Sequence, residues 1–223
     1  MEDGGDTFHG GLLLMFSGAV VTAVTLATWV ILVVGEPASY VFTSIWFLPW
    51  FLGTLGAGAL GVGIVLLVSD SEQELAGYVR TIAWTSVFFA LLNFGTATVP
   101  THFRTRVRSR VYFATSESRM TSLLEVFEAI GFSWPHIQMI FAGTAVGLVG
   151  VFVVKNNVVN RQDSRIWSLL GLLMAGSAFI ASFDSRWLVS SYMASMLLYG
   201  WTILIGYKIC RQNDNLFRRS SQG

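Results

Sequence analysis

Long apolar runs that exclude charge limit this chain's fold more than any other feature. Six such stretches cover about residues 12–34, 45–68, 78–99, 134–154, 166–183 and 188–209. The 14 Lys/Arg and 13 Asp/Glu residues lie between these stretches or at their ends, as Arg80 and Lys208 do. The core of a soluble protein would spread charges along amphipathic faces. Hydrocarbon forbids that pattern, because a charge at mid-bilayer costs roughly 3 kcal/mol or more. The expectation is an all-α polytopic integral membrane protein of about six transmembrane helices in one bundle, forming a single membrane domain over residues 1–223. Charged residues make up only 12% of the chain, about half the usual soluble share, and mean hydropathy is +0.61.

A spanning helix needs about 20 apolar residues, and turn-forming residues punctuate the six stretches at that spacing. Gly35-Glu36-Pro37 ends the first, Pro49 falls in the first turns of the second, Pro100 closes the third and Pro135 opens the fourth. Only Asp184-Ser185-Arg186 separates the last two, which predicts a tight antiparallel hairpin. Trp29, Trp46, Trp50, Trp134, Trp167 and Trp187 fall near segment ends, as an interfacial belt places them, while Trp84 and Trp201 sit deeper. The acidic start Met1-Glu2-Asp3 lacks a signal peptide's basic region, so the first stretch reads as a retained helix.

One connection is long, over residues 101–133. Arg104, Arg106, Arg108 and Arg110 alternate at its start, and they share one face only if the backbone there is extended. They fit contacts to acidic lipid headgroups or a solvated loop. Met120, Leu123, Leu124, Phe127 and Ile130 then recur at helical spacing, with Glu125 and Glu128 opposite, which predicts a short amphipathic helix over residues 121–130 at the interface. If all six stretches cross, eight Lys/Arg fall on the face with both termini and six on the other. The positive-inside rule then places both termini in the cytoplasm. Three matched pairs hint at two inverted three-helix halves: residues 15–20 with 140–145, Ile45-Trp46 with Ile166-Trp167, and Asp70-Ser71 with Asp184-Ser185.

Small residues crowd two segments: Gly53, Gly56, Gly58, Gly61 and Gly63 in the second, and Gly143, Gly147 and Gly150 in the fourth. Such residues let helix backbones approach closely. They serve either packing within the chain or an interface with a second copy or another membrane subunit. The lone cysteine, Cys210, excludes an intramolecular disulfide and reads as an inert thiol at a helix end.

The sequence offers little chemistry. No ionisable group lies at mid-segment, which argues against a proton-coupled pump. The candidate polar groups at depth are Asn93, Thr96 and Thr98, and the hydroxyls elsewhere are expected to bond a carbonyl of the preceding turn. His102 and His136 flank the long connection as candidate interfacial groups, without the carboxylate or cysteine spacing of a metal site. No cofactor is implied, and nucleic acid is not an expected partner. Tyr78-Val79-Arg80 through Trp84 resembles the third helix of microbial rhodopsins, but that family's retinal-binding lysine is missing, since Lys155 and Lys208 sit at segment ends. The leading expectation is a non-catalytic small transporter-like protein or membrane-complex subunit that works through helix packing and lipid or protein contacts. The alternatives are a passive pore or carrier for a neutral or lipid-like solute, and a membrane-embedded enzyme with an interfacial His/Ser site.

Overall fold

A computed structural model describes residues 4–34, 42–69, 71, 73–110, 136–151 and 159–220. Side chains are described over residues 6–27, 51–69, 71, 73–94, 136–151, 159–184, 186–187 and 189–212. Among these residues the chain is all-helical: α1 Gly4–Val34, α2 Phe42–Leu67, α3 Glu74–Arg110, α4 His136–Val151, α5 Arg161–Ala181 and α6 Leu188–Ser220. Runs rich in Leu, Val and Ala form helices here because each helix satisfies its own backbone N–H and C=O groups. Four stretches are long and apolar enough to cross a membrane: Asp6–Ala27, Glu74–Phe94, Arg161–Ala181 and Val189–Gln212. The apolar stretches of α2 and α4, Phe51–Leu67 and His136–Val151, are shorter.

Several boundaries differ from the expectation. The α3 backbone stays helical through Pro100 to Arg110, because a proline removes one backbone bond and leaves the turns beyond it able to form. A helix turns 100° per residue, so Arg104 and Arg108 share one register and Arg106 and Arg110 another, and the common face that extended backbone would give is lost. The expected amphipathic helix over 121–130 lies outside the described residues. α5 starts at Arg161, five residues before the predicted start. Asn160 caps it by accepting from the backbone N–H of Gln162, and Asp163 sits in its first turn, where the helix dipole favours an anion. The predicted hairpin between α5 and α6 is present: Ser185–Trp187 forms a 3₁₀ turn, and Asp184 accepts from both the backbone and the guanidinium of Arg186.

Each helix lies beside its neighbours in sequence, and α6 returns to pack on α1. Phe89 of α3 stacks on Phe141 of α4 at 5.4 Å between ring centres, which closes the circuit. Successive helices run antiparallel. Gly10 faces Gly63, Gly11 faces Gly206, and Gly150 faces Ser164. The bundle therefore has a near end, with the start of α1, Ser69, Glu74, Gly150, Asp163 and Lys208, and a far end with His136 and Asp184.

Glycine sets the closest approaches. A Cβ on Gly18 would fall 2.5 Å from the carbonyl oxygen of Tyr199, and one on Gly206 would fall 2.6 Å from that of Gly11. Between α4 and α5 the seam is tight enough for hydroxyls to reach carbonyls across it. Ser164 donates to the carbonyl of Gly150 at 2.5 Å, and Ser168 donates to that of Gly147 at 2.6 Å. The glycines of α4 are thus occupied within the chain, whereas Gly53 and Gly58 of α2 face open space. A Gly143→Leu variant is expected to lose monodispersity in detergent on size-exclusion chromatography, because its side chain meets the backbone of Gly171. Gly58→Leu should elute as the parent does.

Candidate functional site

The interior divides along its length. Toward the near end, large apolar side chains fill it: Leu14, Ile64, Val146, Trp167, Ile205 and Ile209 are all buried to within 1% exposure. Trp167 was expected at the interface. The earlier start of α5 puts it a turn inside, where its indole N–H donates to the Thr202 hydroxyl at 2.9 Å, and Thr202 donates in turn to the carbonyl of Leu198. Beside it, Trp201 donates to the backbone carbonyl of Asp163, and Lys208 pairs with the carboxylate of the same residue. These contacts pin α5 to α6 at the near end.

Toward the far end, small and polar described residues are buried, among them Ala90, His136, Gln138, Ser177, Ala178, Ser191, Ala194 and Ser195, beside the larger Met174 and Leu198. Gln138 stands one turn beyond Phe141, and its side chain hydrogen-bonds that of Tyr199 from α6. Ser17 stands beside Gly18, where α1 touches α6, and its backbone lies against Gly56 of α2. Ser86 stands one turn below Phe89. Ser17, Gly56 and Ser86 each lie 11–13 residues from the near end of their helices, a depth of roughly 16–20 Å at 1.5 Å per residue. Thr22 of α1 and Thr54 of α2 lie above that level, toward the far end.

Four of these residues carry the anomaly that defines the site. The hydroxyls of Ser17, Thr22, Thr54 and Ser86 are buried with no hydrogen-bond partner among the described residues. The expected bond to the preceding turn is made by Thr25, Thr144, Ser177, Ser182 and Thr202. The same residue types therefore bond locally elsewhere and not here. A buried polar group left unpaired costs about 1–3 kcal/mol, and the described residues do not offset that cost at these four hydroxyls.

The residues singled out from sequence stand unevenly against this site. Asn93 is half-buried on α3 and already has an interaction partner, as does His136. His136 opens α4 but is 3% exposed, because the first turn of α4 is tucked into the bundle instead of lying at a surface. Thr96, Thr98, His102, Arg104, Arg106, Arg108 and Arg110 sit on the α3 backbone, and their side chains lie outside the described residues. Sequence reasoning missed Ser17, Ser86 and Gln138. Gln138, four residues into an apolar segment, was the legible signal. The serines were lost among many hydroxyls of the same type. No family model, curated protein or solved structure matches the chain.

Deleting an orphan hydroxyl should be nearly neutral. Ser86→Ala is expected to leave the thermal unfolding midpoint unchanged or slightly raised. Thr202→Val strands the indole N–H of Trp167 and should lower it, by about 1–2 kcal/mol in stability terms. Differential scanning fluorimetry in detergent compares the two.

Proposed function

We propose that the protein crosses the membrane six times as one bundle and acts without catalytic chemistry, as a small transporter-like protein. The outward faces support a lipid surround. Phe16 and Leu26 on α1, Leu55 on α2, Phe88 and Leu91 on α3, Leu172 and Phe179 on α5, and Leu197 and Leu204 on α6 are all exposed. A soluble monomer rarely shows apolar surface on so many faces. Charged groups with described side chains stay near the ends, at Asp6, Arg80, Asp163, Lys208, Asp184 and Arg186. The backbone of α2 extends for 26 residues, about 39 Å at 1.5 Å per residue, which is longer than the hydrocarbon core.

The observation that carries the transporter-like reading is the set of unpartnered neutral hydrogen-bonding groups at mid-depth. A subunit that served only to pack against others gains nothing from them. A second reading, a component of a larger membrane complex, rests on Gly53 and Gly58. These leave open space on α2 where another helix backbone could lie.

Topology is the first test. Single cysteines placed at Gln73 and at Arg186 in a Cys210→Ala background should label from opposite sides of sealed vesicles with an impermeant thiol reagent. Labelling from one side only would remove the crossing scheme. Reconstituted protein is also expected to give no solute-driven proton movement, read by a pH dye trapped inside proteoliposomes. Acidification on adding a solute would count against a mechanism that lacks buried ionisable groups.

A further inference from the structure

We infer that the near end of the α5–α6 face binds an acidic phospholipid of the adjoining leaflet, with the lipid phosphate held by Arg161, Arg165 and Arg211 and its chains along the apolar stripes that lead away from them. The inference rests on the membrane-crossing reading, not on transport, and adds a partner to it. Exposure on α5 recurs every three or four residues, from Phe179 through Gly176, Leu172 and Leu169 to Arg165 and Arg161. That period is one face of a helix, so the two arginines continue the face of the exposed leucines and stand one turn apart at its near end. On α6, Met193, Leu197 and Leu204 are exposed whole turns apart, and exposed Lys208 and Arg211 follow them. A lipid chain lying along either stripe brings its headgroup to these cations.

Charge at this place is available to an anion. Lys208 neutralises the carboxylate of Asp163, while Arg161, Arg165 and Arg211 have no acidic partner among the described residues. The outward stripes of α1 and α3 end differently, at exposed Asp6 and Glu74, and Arg80 turns to the carbonyl of Ser69. At the far end, Arg186 is paired with Asp184. Unpaired positive charge among the described residues is thus confined to one face at one end. Guanidinium groups suit a phosphate, because their planar fork offers parallel hydrogen bonds to its oxygens. The positive end of the α5 dipole lies at the same place. Tyr207, exposed on α6, and Trp201, whose indole holds the carbonyl of Asp163, are amphipathic rings of the kind found at headgroup level.

Native mass spectrometry of the full chain in detergent reads the partner. Phosphatidylglycerol is expected to bind in preference to phosphatidylcholine at equal concentration. Arg161→Gln and Arg211→Gln, on different helices in case one misfolds, should each weaken phosphatidylglycerol binding about fivefold at low ionic strength, with phosphatidylcholine unchanged. Arg186→Gln, which removes the same charge from the far end, should not weaken it. Glycerol phosphate, a headgroup without chains, should not displace the lipid at millimolar concentration.

Equal binding of the two lipids, or full retention of the preference in both near-end variants, would overturn the site. So would an equal loss in Arg186→Gln, since net charge alone would then explain the preference. Displacement by glycerol phosphate would overturn the lipid as occupant in favour of a free phosphate. Any of these results, with Gln73→Cys and Arg186→Cys labelling from opposite sides of vesicles, spares the crossing scheme. Labelling from one side only removes that scheme and this site with it.

Discussion

Backbone-to-backbone contact at glycine is the interaction on which the rest of this bundle depends. In a lipid surround, burying apolar side chains between helices gains little, since lipid tails are as apolar as leucine. What remains is close van der Waals contact and the hydrogen bonds that contact permits. Gly11 with Gly206, Gly10 with Gly63 and Gly143 with Gly171 bring helix axes near enough to supply both. At the last of these seams the result is visible in Ser164 and Ser168, whose hydroxyls cross to glycine carbonyls of the opposite helix. A hydroxyl that would otherwise bond its own helix becomes a tie between two.

The same contacts explain the closed circuit. α1 is the hinge of the arrangement, because it presents glycines to both sides: Gly10 to α2, and Gly11 and Gly18 to α6. Without a tight α1–α6 contact the chain would be an open row of hairpins with its interior exposed along one edge. With it, the inward faces of six helices meet, and one continuous cluster from Leu14 to Ile209 draws residues from all of them.

How far the chain itself announced this structure depends on which physical signal each feature uses. Apolar runs set by hydrocarbon thickness are strong signals, and the α5–α6 hairpin and the existence of every helix were legible from them. Helix ends were not. Pro100 reads as a stop, yet the backbone passes through it, and Arg161 begins α5 although it is charged. Polar residues can extend a helix past the membrane, where hydropathy no longer marks it. That misreading also misplaced Trp167, since depth is counted from the helix start. The polar interior was legible only in part. Asn93 stood out as an amide in an apolar run, but whether a serine faces lipid, its own carbonyl or the bundle centre depends on rotation about the helix axis. In α3, with aromatic and aliphatic residues on every side, no sequence periodicity marks that rotation. Ser86 looks the same on paper as Thr81 and Thr85, which bond to their own helix.

The uneven interior has a consequence for how such a bundle can move. A tightly packed half resists rearrangement, because interdigitated side chains have few alternative arrangements. A half bounded by small and polar residues tolerates sliding and reorientation at lower cost. The near half, pinned by the Trp167–Thr202 bond, the Trp201 contact to Asp163 and the Asp163–Lys208 pair, therefore acts as the fixed base. Opening the base in turn would mean breaking contacts shared by α5 and α6, so those two helices would move as one unit against the α1–α2 pair.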